Sequence, residues 1–388
     1  MQGEDLLDLT KKQSVILETA RRIGREVLEK YAEKVEEEPV FPEKSLSVLK
    51  EHGFFGLLIA KKYGGMEESY LNYVIVMEEL SKYCVNTVLT YSVHNIVAGI
   101  IERYGTEDQK NRYLPAFVRG EKLGAICIAE DNGGSDVGGI RSYYEKEGEN
   151  FNLVGRKAFV SSGGVADSYL VFARSSGTRR KEGITCFVVG KNTEGVGFGR
   201  PERKLGMNGS PTSELILDSC KVTLDDMIGK EGEGFDIIAR GLAGGRIAVG
   251  AMSVGLGSRA FHEALSYSKE RIQFGRAISS FQAIEFMLAD MSILLEASRS
   301  LVRQAAVARD RGGDYSATAS RAKTFASDAA MKITTDAVQI LGGYGYLISY
   351  KVERYMRQAK LLQIAEGTNE IQRLLIAKDV LTHSADIG

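Results

Sequence analysis

The sequence predicts a multi-domain α+β chain: an N-terminal all-α domain, a middle antiparallel β-barrel domain and a C-terminal four-helix bundle. Three observations predict it. The 388 residues exceed what one hydrophobic core usually organises, so two or three domains are expected. Apolar residues recur at helical spacing at both ends of the chain. Between them, short β-branched and aromatic runs alternate with glycine and charged turns.

The helical domain is expected over residues 1–122. Ile16, Ala20, Ile23 and Val27 share one helix face, and further helical patterns cover 71–83 and 88–104. Gly53, Gly56, Gly64 and Gly65 break the pattern as turns. The charge-rich AEKVEEEP of 32–39 reads as a solvated helix end. Residues 123–229 carry the strands AICIA, FNLVG, SYLVFA, ITCFVV and ELILD with no long helix between them, which argues for an antiparallel barrel or sandwich over βαβ units. GVGFGR, from Gly195 to Arg200, resembles part of a dinucleotide fingerprint, but no helix opens after it. Residues 230–388 return to helical period over 234–270, 280–312, 316–341 and a last helix after Glu366; segments of that length pack economically as an antiparallel bundle.

Composition removes several classes of function. A net charge of −1 provides no overall field for nucleic acid or an anionic membrane. Cys84, Cys127, Cys186 and Cys220 are too scattered for a metal or disulfide framework and are expected to be reduced core thiols. His52, His94, His262 and His383 form no ligand set, so no metal is expected. The acidic start MQGEDLLDLTKKQ lacks the apolar core of a leader, and no apolar run approaches the roughly 18 residues of a membrane span. A cytoplasmic protein is expected, or one of the mitochondrial matrix if a presequence has been removed.

The stretch AKLLQIAEGTNEIQRLLIAK, residues 359–378, is where chemistry is expected. Glu366 follows Leu361, Leu362, Ile364 and Ala365 and precedes Gly367 and a new helix, with Thr368 or Asn369 as its N-cap. Apolar neighbours disfavour its charged form, while the next helix N-terminus favours it. A carboxylate balanced in this way can serve as a base.

Ten segments carry a resemblance that covers nearly the whole chain. They are AEDNGGSDVGG (129–139), GRKAFVSSGGVAD (155–167), KLGMNGSPTSELILDSCKV (204–222), GEGF (232–235), GGR (244–246), KERIQFGR (269–276), FQAIEFMLADM (281–291), TTDAVQILGGYGY (334–346), VERYMRQAK (352–360) and IAEGTNEIQRLLIA (364–377). In this order and spacing the chain resembles the flavin-dependent acyl-CoA dehydrogenases. The resemblance implies FAD held between the β domain and the C-terminal helices, an acyl-CoA substrate, a homotetramer and an electron-transferring flavoprotein as partner. Desaturating a thioester requires loss of a weakly acidic α proton, and a general base contributes only about 10²–10⁴-fold. Carbonyl polarisation and alignment must supply the rest. By resemblance Glu366 takes the proton, flavin N5 accepts hydride, and the Glu366 N–H with a ribityl hydroxyl binds the thioester oxygen. The alternative base position of the family falls on Gly245, which cannot act as one.

The implied cofactor set follows the same segments. Ile128 and Ala129, on the first β-domain strand, should line the flavin edge. Ser135 matches a serine near both FAD and CoA. Phe159, Val160 and Ser161 match a triplet that packs on the ring and hydrogen-bonds N5. Arg271 and Gln282 match residues that reach a neighbouring subunit's FAD, a guanidinium suiting a pyrophosphate. Gln339, Ile340, Leu341, Gly342 and Gly343 match a further contact whose glycines permit close backbone approach, and Thr368 and Glu370 complete the set. The substrate set is Ser135, Arg246, Gly367, Tyr91 and His94. The last two lie on NTVLTYSVHNI (86–96), the helix expected to line the acyl pocket. That segment has no Arg or Lys, which disfavours an acyl group ending in a carboxylate.

Three departures from the family pattern matter. Ala129 stands where a threonine is usual, removing a hydroxyl from the flavin edge. Ala243 stands for an aspartate near the CoA arm, and Ala365 for a tyrosine before the base, which favours a branched, cyclic or aromatic acyl group. An enoyl-CoA reductase, an oxygen-using oxidase and a flavin-free CoA-ester binder remain as alternatives.

Overall fold

Helices α1 (Lys11–Ile23), α2 (Glu29–Ala32), α3 (Lys34–Glu37), α4 (Glu43–Glu51), α5 (Tyr70–Ser81), α6 (Val85–Tyr104) and α7 (Glu107–Val118) form the first part of the chain. The computed structural model describes residues 9–38 and 40–383, His383 by its backbone alone. The chain start read as acidic, residues 1–8, lies outside that range. Thr10 starts α1 through a reciprocal capping box with Gln13. Helices α5 and α6 are buried on nearly every side, which is why their sequences show weak amphipathic contrast.

One expectation here is corrected. The acidic segment is a solvated helix end only in part: Glu33, Lys34, Glu37 and Glu38 are exposed, but Glu36 is buried, and residue 39 lies outside the described residues. Glu36 accepts from Asn86 Nδ2 (2.8 Å), Gln358 Nε2 (2.8 Å) and Arg357 Nη1 (3.2 Å). The carboxylate ties the first helices to a C-terminal one, and its buried charge is tolerated because it is paired and hydrogen-bonded.

The strands follow: β1 (Gly124–Cys127), β2 (Tyr143–Glu147), β3 (Asn150–Ser161), β4 (Ser168–Ser175), β5 (Ile184–Gly190), β6 (Val196–Phe198), β7 (Thr212–Thr223) and β8 (Met227–Ile228). They form one sheet in the order β6-β7-β3-β2-β4-β5-β8, with β1 beside β4. Most pairings are antiparallel, as expected, but β4 runs parallel to both β1 and β2. The GVGFGR segment forms β6, paired antiparallel with β7, with no helix opening behind it. All four cysteines are free and buried.

Helix α8 (Gly234–Glu270) is followed by a small hairpin, β9 (Ile272–Gln273) and β10 (Arg276–Ala277). Then come α9 (Gln282–Asp310), α10 (Ser316–Leu341), α11 (Val352–Ile364) and α12 (Asn369–His383). Helix α10 packs against α8, α9, α11 and α12. Helix α8 does have the length and apolarity to cross a membrane, contrary to the expectation that no segment would, yet 78% of that window is buried inside the protein. Its apolar surface belongs to the core shared with α5, α6, α9 and α10.

Candidate active site

The segment between α11 and α12 turns sharply at Glu366, whose φ of 57° is left-handed, and Gly367 follows at 88°. A glutamate in that region costs about 1–3 kcal/mol and persists only where its surroundings over-determine it. Here they do. Gln372, one turn into α12, donates from Nε2 to Glu366 O (3.1 Å) and Gly367 O (2.9 Å), and its Oε1 accepts from Ser320 Oγ (2.9 Å). Asn369 donates to Ser327 Oγ (2.9 Å) and Asp328 Oδ1 (2.7 Å) on α10. Thr368 caps α12, its Oγ1 accepting from Ile371 N–H at 3.4 Å, while Asn369 is already helical.

Glu366 as a whole is half-buried, but its Oε2 is buried and has no hydrogen-bond partner. Burial pushes the carboxyl up to about 7, against the downward pull of Arg246 and Lys323. The upward push foreseen from the sequence is present, but the counterweight is two side-chain cations in place of the expected helix N-terminus. The carboxyl faces α8 at Gly245, where a Cβ would lie 2.6 Å from Oε2. The residue that cannot be a base is the one whose missing side chain admits the base. Arg246, next along α8, is buried and donates to Ser316 Oγ at 3.3 Å.

Beside Gly245 a cavity opens between α5, α6, α8 and α9, with Leu58, Tyr73, Ile96 and Ile100 as apolar walls and Arg103, Arg240 and Arg309 as basic ones. The Arg309 guanidinium lies 3.6 Å over the ring of Tyr70, whose hydroxyl donates to Gly244 O at 2.7 Å. Two expectations fail here. Tyr91 and His94 do not line this cavity: Tyr91 is buried and donates to Phe54 O at 3.0 Å, and His94 accepts from Gly124 N–H at 3.2 Å between Phe55 and Phe117. Burial pushes the His94 imidazole down to about 3, so it packs as a neutral ring. The helix that carries them contributes Asn95, Ile96, Gly99, Ile100 and Arg103 instead. The cavity is also not free of cations, because its arginines come from outside the segment read as the pocket wall, and the argument against an acyl group ending in a carboxylate falls with it.

The residues matched to a cofactor fall into separate groups. Ile128 and Ala129 lie just beyond β1, which ends at Cys127, and not on the strand. Ala129 O accepts from Ala158 N–H at 2.8 Å, which sets this segment against the bulge in β3 between Lys157 and Val160. A buried ion pair of 2.6 Å, Lys157 Nζ to Glu130 Oε1, fixes the same junction. At the bulge Phe159 adopts φ 55° and stands 71% exposed, followed by Val160 and Ser161, which pair with Ser213 and Thr212. Ser135 is exposed in the loop after Ala129. Arg271 ends α8, and with Ile340, Leu341, Gly342 and Gly343 it lines a cleft of about 440 Å³. Gln339 lies in the last turn of α10 and Gln282 begins α9. Among the described residues, chain neighbours aside, nothing lies within 4 Å of a Cβ placed at Gly342 or Gly343, so their close-approach surface is open. Glu370 is exposed in the first turn of α12.

Sequence reasoning missed Lys323, Asn369 as a network member, Gln372, Asp328 and the cavity arginines. One signal was available: Lys323 sits among Ala319, Ala322, Ala326 and Ser327, a small-residue helix face that a solvated lysine has no reason to occupy.

Family models described as the acyl-CoA dehydrogenase N-terminal, middle and C-terminal domains match residues 10–121, 125–220 and 232–381. The short-chain-specific acyl-CoA dehydrogenase of Clostridium acetobutylicum is 40% identical over 371 residues, 95% of this chain and 98% of that protein. The solved butyryl-CoA dehydrogenase of Megasphaera elsdenii superposes with a TM-score of 0.94 at 38% identity, covering 97% of this chain and 99% of that one. A chain in a structure described as the electron-transferring flavoprotein of Acidaminococcus fermentans is similar to the same extent, with a TM-score of 0.94, 41% identity and coverage of 97% and 99%.

Proposed function

This chain belongs to the acyl-CoA dehydrogenase family, and from that premise we propose that it desaturates a short or branched acyl-CoA between the α and β carbons, with Glu366 as the base. The observation that carries the reading is the Glu366 carboxyl: enclosed, unpartnered at Oε2, facing the empty side of Gly245, and held near neutrality. A base with a pKa near the working pH combines availability with proton affinity. Burial strengthens its pull on an α proton, while Arg246 and Lys323 limit the cost of ionising it.

The chain's own surfaces fit FAD. Phe159 offers an uncovered aromatic face beside the Ser161 hydroxyl and the Ile128–Ala129 backbone, and the cleft of Arg271 and Gly342–Gly343 offers a guanidinium and open backbone to a pyrophosphate. FAD, when bound, supplies the acceptor for the β hydride. Glu366 holds the proton at Oε2, and Gln372, donating to the Glu366 and Gly367 carbonyls, keeps the bend that presents it in place. Ile272, Phe274, Tyr346 and Ile348, adjacent in sequence to residues that line the Arg271 cleft, are exposed apolar side chains, which supports a homo-oligomer in which a second copy's Arg271 and Gln282 complete the cofactor site. An electron-transferring flavoprotein is the proposed electron acceptor, a reading supported by the likeness to the Acidaminococcus fermentans structure.

The test is an anaerobic titration of the flavin-loaded protein with butyryl-, isobutyryl-, longer straight-chain, arylalkyl and dicarboxylic acyl-CoAs. Bleaching of the oxidised flavin by a short or branched saturated thioester is expected. Retained flavin that no acyl-CoA bleaches would overturn the reading.

A further inference from the structure

The first third of α10 holds a lysine that aims its whole ammonium at the segment carrying Glu366. Lys323 is fully buried. Its Nζ lies 2.9 Å from Gln363 O, 3.0 Å from Gly367 O and 2.6 Å from Asn369 Oδ1. An ammonium has three hydrogens, and here each goes to a neutral acceptor that brackets Glu366: one on the last turn of α11, one on the bend itself and one on the first residue of α12. No carboxylate lies within ion-pair distance of it among the described residues.

A buried cation without a bonded counter-ion is costly, and helix packing alone does not require one at this place. A methionine would fill the same volume between α10, α11 and α12. What the charge supplies is a fixed partner for a group that must become negative. Glu366 is that group: burial holds the Lys323 ammonium down at about 8, and Glu366 stands first among the charges that oppose it.

We propose that Lys323 is the positioning residue of the catalytic base: its three hydrogen bonds hold the left-handed bend that presents Glu366, and its charge is the carboxylate's resident counter-ion. The inference rests on the reading of Glu366 as the base. The other groups facing the pair are accounted for. Arg246 on α8 is the other cation at Glu366 and the stronger pull on its carboxyl, but among the described residues it makes no hydrogen bond to the bend, and Tyr70 on α5 is a neutral phenol within electrostatic reach of Glu366. Asp328 on α10 and Glu370 on α12 act on Lys323 more weakly than Glu366 does. Asp328 is otherwise engaged with Gln363, Asn369 and Arg373.

Two variants test this in the flavin-loaded enzyme. Lys323→Met removes charge and hydrogen bonds. Lys323→Gln keeps donors for part of the bend but no charge. In both, the rate of flavin reduction by acyl-CoA is expected to rise with pH through a midpoint displaced upward by about one unit or more, because loss of a buried cation disfavours the carboxylate. The maximal rate of Lys323→Met should fall about 10–100-fold, with the acyl-CoA KM changed less than about 3-fold, since a misplaced base affects the chemical step more than binding. The second readout needs no turnover. The carboxyl C=O infrared band of the flavin-free protein, assigned by its loss in Glu366→Gln, should titrate at higher pH in both variants.

A purely structural lysine gives the opposite pattern: lower melting temperature and flavin content, with both midpoints where the parent has them. That result overturns the proposal, and Lys323→Gln decides it alone if Lys323→Met fails to fold. Failure of the underlying reading looks different, because Glu366→Gln would then still bleach with acyl-CoA whatever the lysine variants do.

Discussion

Glu366 and Phe159 hold nearly the same backbone conformation, φ 57° and 55°, in opposite surroundings. Around Glu366 the chain closes: Gln372, Lys323 and Asn369 fix the bend, and the carboxyl oxygen is shut in against α8. Around Phe159 the chain opens. The bulge is fixed from behind by the β3–β7 ladder and the Lys157–Glu130 pair, and Phe159 stands largely exposed. Both residues sit in strained backbone, so both are places where the fold accepts a cost. The difference teaches where each half of the proposed site finds its partner. The half proposed for acid–base chemistry is completed inside one chain. The half proposed to face the flavin is a scaffold that a cofactor would finish.

The largest expected effect tests the closed half. Glu366→Gln keeps the shape of the bend and removes the base, so flavin reduction by acyl-CoA should fall by at least about 10²–10⁴-fold while flavin binding is retained. In the parent, the rate should rise with pH through a midpoint near 7, where the carboxyl loses its proton. The sign follows from the role: only ionised Glu366 accepts a proton. A variant that loses its flavin as well would break the comparison, since the two halves would then not be separable.

The next effect sharpens it. Gly245→Ala places a methyl 2.6 Å from Glu366 Oε2 and 2.9 Å from Ile96 Cδ1. The carboxyl must move, and a displacement on the order of 1 Å costs about 10²-fold in a positioned reaction. Single-turnover reduction should slow with the melting temperature lowered only slightly, because the bend's own hydrogen bonds do not involve α8. A large loss of stability with an unchanged rate would place Gly245 in packing alone.

What the sequence made legible divides along the same line. The spans 234–270 and 316–341 coincide with α8 and α10, because glycines mark their boundaries: α8 begins at Gly234, and α10 stops at Gly342, whose φ is 60°. Glu366 was legible because the other segments agree around it; an acid before Gly367 is by itself an ordinary solvated loop residue. Lys323 and Glu36 were not, because periodicity cannot say which charged residue turns inward, and their partners lie far along the chain, Lys323's from Gln363 to Asn369 and Glu36's at Asn86 and Gln358. Tyr91 and His94 failed for a related reason. A helix buried all round, like α6, carries no pattern that tells which face meets the cavity and which meets Phe54 and Phe117. The resemblance supplied the role proposed for Glu366 but not the network that holds it.

The smallest effect on the folded chain tests the open half. Phe159 is 71% exposed, so Phe159→Ala removes little buried apolar surface. Alanine has no better tolerance of φ 55° than phenylalanine, so the strain of the bulge stays. The change in stability of the flavin-free protein should therefore lie within about 0.5 kcal/mol, as for surface substitutions away from special features. Flavin affinity should behave otherwise. An aromatic ring stacked in a binding site contributes about 0.5–1.5 kcal/mol beyond the area it covers, and the truncated site loses that together with the area itself, so the flavin Kd should rise by roughly tenfold or more. Equilibrium dialysis of flavin, set beside the melting temperature of the flavin-free protein, separates the two quantities. A variant that unfolds would show that the ring is held by the chain itself, and the contrast between a closed base and an open platform would be lost.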